Sequence, residues 1–104
     1  PVNARGERVQ NRSLAQAESV NIIRWDAQPD NKEVHEYRIY VVNDETRDAR
    51  WFLDGGVRTK LATTAPSARE YTHRHVEANR QYVYQIVTYR RDYGESSGGY
   101  VTID

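Results

Sequence analysis

The stretch that most constrains the fold of this chain runs from Val76 to Tyr89. After the turn-prone Asn79, it is mostly β-branched, aromatic or aliphatic, a composition that favours a pleated strand over a helix. Apolar side chains occur at both parities. A strand has apolar side chains on both faces when both faces are partly covered, or when one face carries the core and the other an aromatic ladder. We therefore expect a central strand. The residues that we expect to be structural are Trp25, Tyr37, Ile39, Val76, Tyr82 and Ile86.

The remaining strand-like segments are short and separated by turn signals. They cover residues 9–15, 19–25, 34–42, 69–76 and 100–104, with a hairpin of 50–53 and 57–61 around Asp54-Gly55-Gly56. No segment shows the 3.6-residue apolar period of a helix. This pattern predicts an all-β fold without helices, a two-sheet antiparallel β-sandwich of about seven strands.

The length and the N-terminal composition set the expected domain organisation. A chain of 104 residues is close to the commonest size of a single domain. The polar start, with isolated valines, predicts a linker over residues 1–8 and one domain over residues 9–104. The first residue is Pro rather than Met, so we expect a fragment of a longer polypeptide.

Charge and composition narrow the classes of partner. Lys plus Arg and Asp plus Glu number 15 each, so we expect no nucleic-acid partner. No apolar run approaches the length of a membrane span, so we expect no membrane insertion. Cysteine is absent, which removes disulfides and thiolate chemistry and leaves the redox compartment open.

The second strand has conflicting parities. Trp25 and Ile23 share a face with the polar Asn21, whereas Val20 and Ile22 lie on the other face. We expect Trp25 and Ile23 inside, with a β-bulge between Val20 and Ile23 to reconcile the two sets.

Four short motifs in order resemble a fibronectin type III domain over about residues 9–103. They are Ile23-Arg24-Trp25 followed by Pro29, the spaced residues Val34, Tyr37, Ile39 and Val41, Val76 six residues before Tyr82, and Gly94-Glu95-Ser96. The resemblance implies a tyrosine corner, in which the hydroxyl of Tyr82 bonds back to the backbone. The departures from the family pattern are Val76 in place of Leu, Ala78 in place of Pro, and Asn21 in place of an apolar residue.

The resemblance also implies a role. Such a domain is a non-catalytic module of a larger protein, a structural spacer and protein-interaction domain. We expect neighbouring domains of the same polypeptide and another protein as partners, and a monomer in isolation. The location is expected to be extracellular or at the cell surface, with an intracellular one left open.

Catalytic and metal-binding patterns are missing from the sequence. There is no nucleophile elbow, phosphate loop or His-Glu-x-x-His, so we expect no enzyme activity, no catalytic residue and no cofactor. His73 and His75 could share one face of a strand, but the sequence offers no third ligand, and two half-exposed strand histidines are the simpler interpretation. We therefore predict no metal site.

The candidate binding surface lies in loops and at a sheet edge. Loops at the ends of a sandwich are where binding residues concentrate, and an exposed indole can stack on a sugar or anchor a partner. Trp51 and Phe52 are strand neighbours, so both cannot enter the same core. Either Trp51 is exposed, as a carbohydrate-binding accessory module with a polysaccharide ligand would need, or it lies flat over aliphatic stems. The candidates are Trp51, Phe52, Asp30, Asn31, Arg90, Arg91, Asp92 and Tyr93.

Overall fold

The computed structural model describes residues 2–12, 17–27, 34–42, 58–96 and 98–104. Within these ranges the chain forms eight β-strands and no helix. They are β1 (Val2–Arg12), β2 (Ala17–Asp26), β3 (Glu36–Val42), β4 (Arg58–Thr64), β5 (Glu70–His73), β6 (Tyr82–Arg90), β7 (Gly94–Glu95) and β8 (Gly99–Ile103).

The strands form two antiparallel sheets. One sheet has three strands in the order β1-β2-β5, and the other has five, with β4-β3-β6-β7 in order and β8 also paired to β6. The predicted two-sheet all-β fold is therefore confirmed. The second sheet is four strands wide, because β7 and β8 pair with successive parts of β6.

Strand β6 is central, with β3 on one side and β7 and β8 on the other. Its inner face contributes Tyr84 and Ile86, which are completely buried. Val87 points to the opposite face yet is only 1% exposed. Both faces of β6 are thus covered, which explains why its apolar residues occur at both parities.

The core lies between the two sheets. Trp25 and Tyr37 meet with ring centroids 5.5 Å apart, an arrangement in the favourable range for tilted aromatic pairs. The residues expected to hold the structure together are all buried except Tyr82, which is partly buried and packs against the core. The buried ones are Trp25, Tyr37, Ile39, Val76 and Ile86.

The expected linker over residues 1–8 is wrong for its described part. Residues 2–8 belong to β1, which pairs with β2 from Val2 opposite Asp26 through Arg12 opposite Ala17. Gly6 explains in part how this segment packs as a strand of the sandwich. A Cβ at Gly6 would lie 2.6 Å from Ile103 Cδ1, so the missing side chain lets β1 pack closely on β8.

The expected bulge in β2 is also wrong. Residues Val20 to Ile23 keep a continuous register with β1, and the register shift lies instead between Val2 and Arg5 of β1. Asn21 needs no bulge because it is fully buried and hydrogen bonded. The side chains of β2 that point into the core are therefore Asn21, Ile23 and Trp25, so a polar residue lies inside the core.

The strand expected over residues 69–76 is shorter than predicted. β5 ends at His73, and His75 has a left-handed φ of 57°, so the chain turns away before Val76. The part of the expected hairpin in residues 50–57 lies outside the described residues. Its second arm, β4, is an edge strand paired with β3.

The register places the start of β1 and the end of β8 towards opposite ends of the sandwich. Val2 lies opposite Asp26 at the end of β2, whereas Ile103 lies opposite Tyr82 at the start of β6. We call the end that holds Asp26 the upper end and the end that holds Tyr82 the lower end. Arg90 closes β6 at the upper end, because β6 begins with Tyr82 at the lower end.

Candidate interaction surface

The outer face of the five-stranded sheet carries alternating arginine, tyrosine and glutamate side chains. Alternation along β3 directs its polar residues outward while Tyr37 and Ile39 enter the core. Side chains from β4, β6 and β7 complete the row. We call this set the ladder face: Glu36, Arg38, Tyr40, Arg58, Tyr89 and Glu95.

Two guanidinium groups stack on tyrosine rings in the ladder face. Arg38 Cζ lies 3.8 Å from the centroid of Tyr89, and Arg58 Cζ lies 3.8 Å from the centroid of Tyr40. Such cation–π contacts contribute roughly 0.5–1 kcal/mol at exposed sites and more when desolvated. The planar guanidinium suits this role because it stacks and still presents its N–H groups sideways.

Glu95 joins the two stacks. Its carboxylate accepts hydrogen bonds from Arg38 Nη1 at 3.1 Å and from Arg58 Nη2 at 2.8 Å, and a further one from the hydroxyl of Tyr40. Burial alone would raise the pKa of Glu95, but the bonds from Tyr40, Arg58 and Arg38 outweigh it and lower the pKa below its usual value. The carboxylate is therefore held ionised between two cations.

Beneath the ladder face lies Val87, which pairs with Arg38 across the sheet. Gly98, directly before β8, lies close to β6. A Cβ at this position would lie 2.6 Å from Ile86 O and 2.6 Å from Val87 Cγ1. A glycine at this position lets the backbone pack directly onto β6. The charged and aromatic groups of the ladder face thus lie over the buried Val87.

The turn that joins β6 to β7 borders the ladder face at the upper end. Tyr93 N–H donates to Arg90 O at 3.2 Å, and Gly94 takes a φ of 75°, a left-handed conformation that glycine adopts without strain. Arg90 Cζ lies 5.4 Å from the Tyr93 ring, while that ring is 77% exposed. The turn therefore presents an aromatic side chain to solvent next to the ladder.

The structure brings part of the expected binding surface together. Arg90, Arg91, Asp92 and Tyr93 lie in or beside one turn, and they adjoin Tyr89 and Glu95 of the ladder face. Trp51 and Phe52 lie outside the described residues, as do Asp30 and Asn31.

The two histidines considered as metal ligands contact different groups. His73 Nδ1 lies 2.7 Å from the hydroxyl of the buried Tyr84, whereas His75 is largely exposed and lies 3.4 Å from a Glu18 oxygen. The expected shared face does not exist because β5 ends between them. In the ranges that the structure describes, no group of three or more potential ligand side chains could hold a metal ion.

The connection between β5 and β6 is fixed by Tyr82 and by an arginine that sequence reasoning missed. Glu77 N–H donates to the Tyr82 hydroxyl at 2.9 Å. Arg8 donates to two carbonyl oxygens of the same connection, Ala78 O at 2.8 Å and Arg80 O at 2.7 Å. Arg8 lies in the segment expected to be a linker, and nothing in its local sequence signals this role.

Comparisons with known proteins identify similar folds only. No family model matches the chain, and no curated protein matches it. Among solved structures, pectate lyase PelI from Erwinia chrysanthemi in complex with tetragalacturonic acid has a TM-score of 0.59 and 13% identity, over 94% of this chain and 28% of that one. Pectate lyase Pel3 from Pectobacterium carotovorum has a TM-score of 0.61 and 12% identity, over 93% and 26%. At this identity the likeness shows the fold alone, and the chain spans about a quarter of the length of those proteins.

A search of the described ranges for membrane-spanning helices finds none with sufficient length and apolar character.

Proposed function

We propose that this chain is a fibronectin type III-like module of a longer polypeptide, and that it serves as a non-catalytic spacer and protein-interaction domain. The observation that carries the proposal is the structural likeness just described. It covers nearly all of this chain but only 26–28% of chains that are much longer. A sandwich of this type therefore occurs as one part of larger proteins.

Three features support the fibronectin type III assignment. The three-stranded and five-stranded sheets face each other across a core centred on Trp25 and Tyr37. The Tyr82 hydroxyl binds the backbone five residues earlier, as a tyrosine corner requires. Gly94-Glu95-Ser96 has a physical role at each position, because Gly94 takes a left-handed φ, Glu95 joins the ladder and Ser96 N–H donates to Thr88 O.

The spacer role follows from the positions of the first and last strands. β1 begins at the upper end and β8 ends at the lower end, so we expect partners attached before β1 and after β8 to leave the folded sheets at opposite ends. The ladder face and the adjoining turn supply the proposed surface for another protein. The proposal carries over the expectations of an extracellular or cell-surface location and of a monomeric isolated module.

Single-molecule energy transfer tests the spacer role. The chain has no cysteine, so one cysteine added before Pro1 and one after Asp104 accept a donor and an acceptor dye. A flexible Gly/Ser chain of equal length has a root-mean-square span of about 55 Å with a broad distribution of distances, so the width of the distribution discriminates a folded spacer from a flexible chain. We expect a narrow single population that broadens in urea. A broad population in native buffer, like that of the Gly/Ser control, would exclude a rigid spacer.

A second candidate is a carbohydrate-binding accessory module. Tyr93 and Tyr100 are 77% and 54% exposed, and one structural neighbour was solved in complex with tetragalacturonic acid. Trp25 is 1% exposed, so changes in tryptophan fluorescence on adding polysaccharide report mainly on Trp51. Quenching that disappears in Trp51→Ala supports sugar binding near Trp51, whereas no change at millimolar sugar leaves the spacer proposal.

A further inference from the structure

A chain of hydrogen bonds crosses the interior near the lower end and involves four strands. Arg8 of β1 donates from Nε to Asn21 Oδ1 at 2.9 Å. Asn21 Nδ2, in β2, lies 2.8 Å from the Tyr84 hydroxyl of β6. That hydroxyl in turn lies 2.7 Å from Nδ1 of His73 in β5. Asn21 and Tyr84 are fully buried.

The direction of every bond in this chain follows from Arg8. A guanidinium is a donor only, so the amide oxygen of Asn21 must face it and the amide nitrogen must face Tyr84. The Tyr84 oxygen therefore accepts from Asn21 and directs its single proton to His73. His73 Nδ1 must then be an acceptor, which requires a neutral imidazole protonated at Nε2.

Protonation of His73 would break this arrangement. With Nδ1 carrying a proton, the Tyr84 oxygen would face two donors, Asn21 and His73, and its own proton would lose its acceptor. A buried polar group left without a partner costs more than an average hydrogen bond contributes. Burial also lowers the pKa of His73 below its ordinary value.

The charged and titratable groups around His73 do not favour a cation. The rings of Tyr82 and Tyr84 meet its imidazole edge-to-face at 5.8 and 5.6 Å. Arg8 and Arg80 lie over the Tyr82 ring at 5.4 and 5.3 Å, so the charges nearest that ring are positive. The acid on the adjoining strand is Glu18 of β2, and it is engaged by Arg74 and His75 rather than by His73.

A third ring, that of Tyr71, belongs to the same strand as His73 and acts on the same network. It adds to the repulsion that opposes ionisation of Tyr84. Burial, with that repulsion, raises the pKa of Tyr84 to about 12, so its hydroxyl keeps its proton throughout the range in which a histidine titrates. Within the described residues, His73 has no carboxylate partner that would stabilise its charged form.

We propose that His73 is an acid-sensitive latch. At neutral pH it completes the Arg8–Asn21–Tyr84–His73 chain and holds β5 and the β5–β6 connection onto the larger sheet. On acidification its protonation releases that attachment. The ligand of the site is therefore a proton, and the segment that is released is β5 with the β5–β6 connection at the lower end.

The sign of the pH dependence is fixed by the direction of the pKa shift. The unfolded chain takes up a proton at the ordinary histidine pKa of about 6.5, whereas the folded chain resists it. Folding stability contributed by His73 is complete above that value and is lost as the pH falls below it. One proton taken up on unfolding changes the unfolding equilibrium constant by up to about tenfold per pH unit.

Urea unfolding between pH 7.5 and 5.5 tests the latch with matched histidine variants. We expect the unfolding equilibrium constant of the wild-type chain to rise on acidification, and His73→Gln to lose most of that rise. His35→Gln and His75→Gln replace exposed histidines that take no part in the hydrogen-bond chain. Both variants should keep the rise in the unfolding equilibrium constant on acidification. Equal pH dependence in His73→Gln and wild type would overturn the proposal.

Side-chain NMR of the wild-type protein provides a measurement that does not depend on the folding of a variant. We expect ¹⁵N shifts of His73 typical of the Nε2–H tautomer, and a titration midpoint below the ordinary histidine value of about 6.5. In Tyr84→Phe, which keeps the ring but removes the hydroxyl, the midpoint should move towards the ordinary value. An Nδ1–H tautomer, or a midpoint unchanged in Tyr84→Phe, would contradict a latch built on the hydrogen-bond chain.

Discussion

Arg8 Nε donates a hydrogen bond to Asn21 Oδ1 at 2.9 Å. An arginine from the first strand thereby satisfies an amide that is buried in the second. The same guanidinium binds two carbonyl oxygens of the β5–β6 connection, so one side chain ties β1 to β2 and to the corner at Tyr82. These three bonds make Arg8 a structural clamp between distant parts of the chain.

Arg8→Lys tests this clamp. Lysine keeps the charge but cannot reproduce the three-way geometry of the guanidinium, and it would leave the Asn21 amide or a carbonyl oxygen without its donor. We expect the free energy of unfolding to fall by about 1–3 kcal/mol. Arg5→Lys is the control, since Arg5 is 55% exposed in its ion pair with Asp26 and should change stability by less than ~0.5 kcal/mol. Equal effects in urea denaturation would mean that Arg8 acts only as a surface charge.

Glu95→Gln tests the ladder face. The amide keeps the shape of the side chain but removes the negative charge that lies between Arg38 and Arg58. We expect a loss of about 1–3 kcal/mol in the free energy of unfolding at pH 7, the usual range for hydrogen bonds to a charged group. Glu70→Gln, in a more exposed ion pair with Arg24, should cost less than ~1 kcal/mol.

The pH dependence of the Glu95 effect has a definite sign. Because the pKa of Glu95 is lowered in the folded state, its stabilisation is present above the ordinary glutamate pKa of about 4.3 and is lost as the pH falls through the folded value. The stability gap between wild type and Glu95→Gln should therefore be constant above pH 6 and shrink in acid. A gap that persists unchanged at pH 3 would contradict the charged ladder.

Two aromatic residues with opposite environments test the assignment of core and surface. Trp25 is 1% exposed and Tyr93 is 77% exposed. Trp25→Ala should lower the free energy of unfolding by about 3–5 kcal/mol because it leaves a cavity, whereas Tyr93→Ala should change it by less than ~0.5 kcal/mol. Thermal and urea unfolding measure both. A cost below 1 kcal/mol for Trp25→Ala would place this ring outside the core.

The features that could be predicted from the sequence are those with local causes. The composition of residues 76–89 indicated a central strand, and residues 34–42 were expected to form another strand of the sandwich. The two-sheet architecture followed from such segments and from the turns between them. Each of these inferences needs only the period of a strand and the conformational preferences of turn residues.

The features that could not be predicted depend on partners far away in the sequence. Residues 2–8 resemble a linker by composition, but Gly6 allows β1 to approach Ile103 and Arg8 reaches Arg80 O, 72 residues away. A buried Asn21 conflicts with the apolar pattern of β2 until its partners Arg8 and Tyr84 are known. An aromatic ladder was one of two explanations for the apolar residues at both parities of the central strand, but the link of the ladder face through Glu95 joins residues 57 apart.

The most direct test of the tyrosine-fastened sandwich is amide hydrogen exchange at Glu77, compared between the wild-type chain and Tyr82→Phe. Glu77 is exposed, and its N–H donates to the Tyr82 hydroxyl at 2.9 Å. The account predicts slow exchange at Glu77 in the wild type and fast exchange in Tyr82→Phe, with a loss of about 1 kcal/mol in the free energy of unfolding. The amide of Ser96, which donates to Thr88 O, should stay protected in both. Unprotected exchange at Glu77 in the wild type, together with unchanged stability in Tyr82→Phe, would contradict it.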